Sequence, residues 1–303
     1  MPTLSEDLRE ELAGIAPAGE ADRLAELSGL FHVAGRAHLR GRGAVDVHLD
    51  VSTSTVARRA FALLRASDVR SEIRTYSRRS FDKSTRYQLH VEGSQDAYDT
   101  LHQAGVLDRS RRPLSSPPNR VVARRSSAAA YLRGALLGSG TLSGPRGPQL
   151  EIRTAEVDGA RFLATLVTRL GGDLHVQERS SHATAYAKGT EAIADILVAV
   201  GAVDLVLALE EQAVLAATRA DANRLANADH ANLVRTGRAA HAQLEALHRL
   251  DVDALPDDLR EIAVLRLRHP TASIAELARR CKPALSKAAA YRRLRRLQEL
   301  SRS

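Results

Sequence analysis

The feature that most constrains this chain is that it repeats itself. A shift of 105 residues places Leu27 on Leu132, Gly29 on Gly134 and Gly35 on Gly140. The same shift puts Val45-Asp46-Val47 on Leu150-Glu151-Ile152 and Asp68-Val69 on Asp173-Leu174. At a shift of 96, Val91-Glu92-Gly93 meets Ala187-Lys188-Gly189, and Gly105 meets Gly201. Offsets held across helix, strand and glycine positions mark a duplicated unit. Each half reads helix, strand, helix, strand, strand, helix. The strand candidates are 45–51, 70–77 and 86–92, then 149–154, 173–179 and 184–188. Between the halves, residues 109–127 carry three Pro, five Ser, six Arg and no acid, the composition of a linker.

The rest of the chain is helical in pattern. Residues 5–15 predict an amphipathic helix capped by Ser5, with Leu8, Leu12 and Ile15 on one face. Residues 204–250 are rich in Ala, Leu and Arg, with no Pro and one Gly, and predict one or two helices. With 303 residues and 44% hydrophobic content, about two domains with sizeable cores are expected. The net charge of +8 is unevenly spread: residues 256–303 hold 12 basic and five acidic residues, residues 204–255 five and eight. A basic module at the end of the chain points to an anionic partner, with nucleic acid first.

Several classes are excluded. One Cys allows no intrachain disulfide and no Cys-based zinc site. No apolar run approaches 18 residues and the N-terminus lacks a signal-peptide layout, so a soluble, cytosolic protein without membrane association is expected. Zero Trp, four Phe and six Tyr leave few rings for stacking single-stranded bases.

Each repeat opens on a Gly-terminated helix, Leu27-Ser28-Gly29-Leu30-Phe31-His32-Val33-Ala34-Gly35 and Leu132-Arg133-Gly134-Ala135-Leu136-Leu137-Gly138-Ser139-Gly140. Both resemble the LAGLIDADG helix of homing endonucleases. The resemblance implies two helices packed about a pseudo-two-fold axis under two sheets that form a DNA saddle. In that family an acid just before the last Gly binds a divalent metal. Here Ala34 and Ser139 stand at those positions. Neither supplies a charged oxygen, so the resemblance implies no metal and no phosphodiester cleavage. Asp46 and Glu151 are the nearest acids, and they fall in predicted strands.

Residues 5–12 (SEDLREEL), Ala25-Glu26-Leu27-Ser28, Ala130-Tyr131-Leu132-Arg133-Gly134-Ala135, Asn223-Arg224-Leu225-Ala226-Asn227 and Ala231-Asn232-Leu233 narrow the match. Together they resemble the WhiA family of bacterial sporulation and cell-division regulators, over almost the whole chain. The first motif departs from that pattern at Gly29, where Ala or Ser is ordinary, and Ala226 replaces a larger apolar residue. The implied fold is α+β: tandem LAGLIDADG-like repeats, a long helical connector and an all-α helix-turn-helix domain.

The last 48 residues support this independently. Residues 257–267 predict a helix with Leu259, Ile262, Ala263 and Leu267 on one side. Ser273-Ile274-Ala275-Glu276 reads as a capping box opening a helix over 274–280. Residues 281–285 make a turn, and Ser286 caps a helix over 287–300. Ala290, Leu294 and Leu297 face inward, Arg292, Arg295 and Arg296 outward, with Arg293 at the edge. This spacing lets the second helix enter the major groove. The candidate DNA-binding residues, within 272–303, are Ser273, Lys282, Ser286, Lys287, Ala290, Tyr291, Arg292, Arg293, Arg295 and Arg296. Ser286-Lys287 and Arg293-Leu294-Arg295-Arg296-Leu297 match the WhiA pattern, whereas Ala288, Ala290, Tyr291 and Arg292 differ from it.

Other constellations are weak. Gly138-Ser139-Gly140 lacks the third Gly of a dinucleotide loop. The 11 His have no metal-ligand spacing; His230, His241 and His248 fit a helix surface. Cys281, in a basic turn, is a candidate for a lowered pKa, though no partner marks it as a nucleophile. No catalytic site and no cofactor are expected.

The expected organisation is an N-terminal helix (1–22), repeat 1 (23–108), linker (109–127), repeat 2 (128–203), connector (204–255) and helix-turn-helix (256–303). The leading reading is a non-enzymatic, sequence-specific transcription regulator of division or sporulation, working on promoter duplexes at the nucleoid. A sister regulator or RNA polymerase would fit as a protein partner. The alternatives are an active LAGLIDADG-type endonuclease, and an interaction scaffold with an accessory DNA-binding domain.

Overall fold

The computed structural model describes residues 3–39, 45–77, 85–144 and 147–302. The chain divides into two compact units, residues 1–214 and 215–303.

Unit 1 begins with α1 (Leu4–Gly14). Its cap is Thr3, not Ser5: Thr3 and Glu6 form the reciprocal capping box. The Ser5 hydroxyl instead donates to the Leu142 carbonyl (3.0 Å) and accepts from the Leu142 amide (2.8 Å). Repeat 1 runs α2 (Glu20–Ala34), β1 (Gly35–Leu39), β2 (Val45–Val51), α3 (Ser54–Arg65), β3 (Ser71–Ser77), β4 (Thr85–Val91) and α4 (Gln95–Gln103). Repeat 2 runs α5 (Arg125–Ser139), β5 (Gly140–Ser143), β6 (Gln149–Thr154), α6 (Val157–Leu170), β7 (His175–Arg179), β8 (His182–Lys188) and α7 (Thr190–Val200). Helix α5 thus starts inside the stretch read as linker.

Each repeat has one strand more than its sequence pattern predicts. β1 and β5 begin at the glycines that end α2 and α5. A strand of four or five residues directly after a helix offers little period-two signal. The antiparallel sheets share one topology, β1-β2-β4-β3 and β5-β6-β8-β7.

Their register corrects the strand alignment. Gly35 pairs with Leu49 and Gly140 with Ile152, so β2 and β6 correspond at a shift of 103. Val47, not Val45, therefore matches Leu150, and Asp50 matches Arg153. A two-residue slip keeps every side chain on its face, so alternation alone cannot detect it. At the other end of the repeats the glycines agree as expected: Gly105 (φ 69°) and Gly201 (φ 89°) both take the left-handed conformation that follows α4 and α7.

The repeats meet through α2 and α5. A Cβ on Gly29 would lie 2.0 Å from the Tyr131 carbonyl oxygen, and one on Gly134 would lie 2.0 Å from that of Glu26. These two contacts are exchanged by the 105-residue shift, which is what a pseudo-two-fold axis requires. At this separation a Cβ would overlap the facing carbonyl and the helices would have to part to admit it, which accounts for Gly29.

Helix α8 (Val203–His248) is one unbroken helix, and the division between the units falls within it. In unit 1 its first turn is capped by Glu11, whose carboxylate accepts from the Asp204 and Leu205 amides (2.9 Å each). In unit 2, Leu247 joins the core formed by α9 (Asp257–Arg268), α10 (Ile274–Arg280) and α11 (Lys287–Leu300).

Candidate nucleic-acid interface

The unit 2 helices match the sequence expectation closely in their bounds. Ser273 and Ser286 cap α10 and α11, accepting from the amides of Glu276 and Ala289 (3.1 Å each). The expected box at Ser273 is one-sided: the Glu276 carboxylate accepts from Arg280 (2.8 Å). The turn is fixed by the Leu285 amide donating to the Ala278 carbonyl (2.8 Å) and the Lys282 amide donating to Glu261 (2.6 Å).

Ala290, Leu294 and Leu297 are buried against α9 and α10. For Ala290 this overturns its place among the candidate DNA-binding residues: with 0% exposure it packs in the core. Ser286, Lys287, Tyr291, Arg292, Arg295 and Arg296 are exposed, as is Ala288, which sequence reasoning left out of the site. Residues 287, 288, 291, 292 and 295 follow the spacing of one helix face. Arg293 is half-buried and donates to the Asp258 carbonyl (3.0 Å), which ties α11 to α9. Arg295 pairs with Glu299 (3.1 Å). Ser273 and Lys282 are exposed at the start of α10 and in the turn.

Two further side chains shape this unit. Arg266 is almost fully buried and donates to the Ala272 (2.6 Å) and Pro270 (3.3 Å) carbonyls, bracing the α9–α10 loop. An Arg in an amphipathic helix signals exposure, so no sequence rule singled it out. Cys281 is buried and its thiol donates to the Leu277 carbonyl (3.4 Å). Burial, reinforced by Glu261, pushes its pKa up, opposite to the lowering considered for a basic turn.

In unit 1, Ala34 and Ser139 end α2 and α5. The Ser139 hydroxyl donates to the Arg153 carbonyl (2.8 Å). Asp46 sits on β2 beside His90 (3.2 Å), and Glu151 on β6 accepts from Gln149. Among the described residues, no group of three or more His, Cys, Asp or Glu could hold a metal ion. His230, His241 and His248 are exposed on α8. No described helix is long and apolar enough to cross a membrane.

Buried polar groups between α2 and α5 are deployed differently at the two ends of the pseudo-two-fold. The Glu26 carboxylate, fully buried, accepts from Arg59 (2.7 Å) and from Arg133 (2.8 and 2.9 Å). The 105-residue shift carries Glu26 to Tyr131 and Arg133 back to Ser28. Those two hydroxyls both approach His32 Nδ1, at 3.1 and 3.4 Å. Burial raises the Tyr131 phenol well above its ordinary pKa, so it stays protonated and donates. Burial also lowers His32 to about 4; its Nε2 makes no hydrogen bond of normal geometry, and the nearby Gly105 carbonyl offsets only part of that penalty.

Three family models match the sequence: the WhiA N-terminal LAGLIDADG-like domain over residues 20–107, the WhiA LAGLIDADG-like domain over 128–219 and the WhiA C-terminal HTH domain over 222–301. A probable cell division protein WhiA of Heliobacterium modesticaldum is 33% identical, covering 99% of this chain and 96% of its own length. The one from Symbiobacterium thermophilum is 34% identical, covering 98% and 96%. Among solved structures, full-length DUF199/WhiA from Thermatoga maritima superposes with a TM-score of 0.57 at 22% identity, covering 99% of this chain and 98% of that one. The fold is therefore shared across the full length. From its first LAGLIDADG-like repeat to its last helix, the chain belongs to the WhiA family.

Proposed function

We propose that this protein is a non-enzymatic transcription regulator that binds promoter duplexes sequence-specifically and acts in cell division or sporulation. The observation that carries the reading is the exposed face of α11, where Lys287, Tyr291, Arg292 and Arg295 stand on a capped helix behind a fixed turn. The relatives' name, probable cell division protein, supports the process. The absence of an acid at both Ala34 and Ser139 supports a protein that does not cut DNA. Nucleoid-bound work in the cytoplasm, with RNA polymerase or a sister regulator as partner, follows from the same role. The working bounds follow the helix starts: 1–19, 20–108, 109–124, 125–203, 204–255 and 256–303. Ser273, Lys282, Ser286, Lys287, Tyr291, Arg292, Arg293, Arg295 and Arg296 supply the DNA contacts, with Arg293 acting partly through α9.

Base edges are met by the first turn of a recognition helix and phosphates further along it. Lys287→Ala should cost about 1–3 kcal/mol on a cognate promoter and little on a scrambled duplex. Arg295→Ala should weaken both duplexes and flatten the slope of log K against log salt by about one unit. Fluorescence anisotropy at several salt concentrations measures both. Equal loss on both duplexes for Lys287→Ala would make it a phosphate clamp and move specificity elsewhere. Incubation with plasmid and genomic DNA in Mg²⁺ or Mn²⁺ tests the absence of cleavage; reproducible site-specific breaks would overturn it.

A further inference from the structure

Helix α1 fills a groove that the pseudo-two-fold repeats on the other side of unit 1. Its seat lies between β5, the end of α5 and α3. Ser5 bonds the Leu142 backbone, Arg9 donates to the Gly140 carbonyl (2.7 Å), and Arg59 on α3 donates to the Ile15 carbonyl. Carried across by strand register, Gly140 and Leu142 become Gly35 and Ala37 on β1, and α3 becomes α6. Among the described residues no helix occupies this second groove. A hairpin covers part of it: Leu107 bridges Pro113, and the Leu114 amide donates to the Val106 carbonyl (2.9 Å). A cavity of about 390 Å³ remains, walled by Phe31, Ala37, Val47, Val106 and Leu114. That volume suits a small molecule and is too small for a second helix like α1.

Polar groups around this cavity lack the partners that their counterparts have. Ala37 holds the place of Leu142, but no described side chain bonds its amide or carbonyl as Ser5 does at Leu142. The His32 ring lines the cavity. With Tyr131 donating to Nδ1, the ring carries its proton on Nε2. That N–H is buried, with the Gly105 carbonyl nearby but outside normal hydrogen-bond geometry.

Arg36 and Glu156 line the same cavity from exposed positions. Among the described residues they form no ion pair with each other or with a third group. Glu156 precedes α6 as Thr53 precedes α3. Thr53 accepts from the Val56 amide (3.4 Å), whereas the Glu156 side chain caps nothing. One cation and one carboxylate that do not pair, above apolar walls, match a zwitterion with a hydrocarbon side chain. Its carboxylate would accept from Arg36 and from His32 Nε2–H, and its ammonium would donate to Glu156 and the Ala37 carbonyl. Its side chain would displace water from Phe31, Val47 and Leu114.

We propose that this cavity, the unfilled counterpart of the α1 seat, binds an apolar α-amino acid, with Arg36 and His32 on its carboxylate and Glu156 on its ammonium. Full-length protein is titrated calorimetrically with L-leucine, L-methionine and L-phenylalanine. Isocaproate and isoamylamine, which keep the leucine side chain and one charge each, are titrated beside them. No DNA is present, so the outcome is separate from promoter recognition. At least one of the amino acids should bind saturably and more tightly than either analogue. Glu156→Gln should weaken it about tenfold or more and leave isocaproate unchanged; Arg36→Gln should weaken it as much and leave isoamylamine unchanged. Both side chains are exposed, so these variants keep the fold. The His32 Hε1 resonance should move as the site fills, which places the ligand in this cavity. The proposal fails if none of the amino acids binds saturably, if the His32 resonance stays still during binding, or if both variants bind as the parent does.

Discussion

The two repeats share a backbone and differ in their buried chemistry. At the crossing of α2 and α5 the glycine contacts are reciprocal, 2.0 Å from Cβ to carbonyl in each direction. One turn away the symmetry ends. Repeat 1 places Glu26 between two arginines; repeat 2 places Tyr131 there, facing Ser28 across His32. Packing that sets the distance between helices admits one solution in both halves. Polar groups need only be satisfied, and an ion pair and a neutral hydrogen-bonded trio both do that. Close approach is therefore the conserved part of the duplication and polarity the part free to diverge.

The comparison can be broken first at Glu26. Glu26→Gln leaves Arg59 and Arg133 facing a neutral amide in a buried site. Unpairing a buried ion costs about 3–5 kcal/mol, read by chemical denaturation of unit 1. A loss below about 1 kcal/mol would mean that water reaches these guanidiniums.

Acid should then expose the other end. Folded His32 has a pKa near 4 against 6.5 in the unfolded chain, because burial disfavours its charged form. The unfolded chain binds the proton first as pH falls. Stability from this residue is full above about pH 6.5 and is lost towards pH 4, about 3 kcal/mol in all. The equivalent position in repeat 2 is Leu137. His32→Leu should remove this part of the acid sensitivity in denaturation curves at pH 7 and 4.5; an unchanged pH profile would move its origin to other groups.

The smallest effect sharpens the symmetric part. Gly29→Ala and Gly134→Ala each force a methyl group into a carbonyl oxygen, and overpacking of this kind costs about 1–3 kcal/mol. The two losses should agree within about 0.5 kcal/mol. A clear inequality would show that the helix crossing is not truly reciprocal.

Much of this was legible in the sequence, and the failures share a cause. Glycines, caps and apolar spacing located α2, α5, α10 and α11, because each is a local signal with one structural meaning. The β2–β6 offset reads two residues too long in the sequence, since a period of two repeats itself. Thr3 and Ser5 are both good caps, and only the packing of Ser5 on Leu142 separates them. Within the candidate site, the spacing turns Ala290 inward while the recognition-helix reading claims it for DNA; burial decides for the core. The role of Arg293 depends on Asp258, 35 residues away, which no spacing rule reaches.

The polar anchors of helix α1 lie far downstream of it. Ser5 binds Leu142, Arg9 binds Gly140 and Glu11 caps α8 at Asp204 and Leu205. Synthesis proceeds from the N-terminus, so α1 leaves the ribosome before its anchors and must wait until nearly 200 later residues exist before they can receive it. Closing so long a loop is entropically costly and slow. α1 is therefore the clasp of unit 1, made before its partners and fastened after them, and its seating marks the moment when both repeats and the start of α8 are in place.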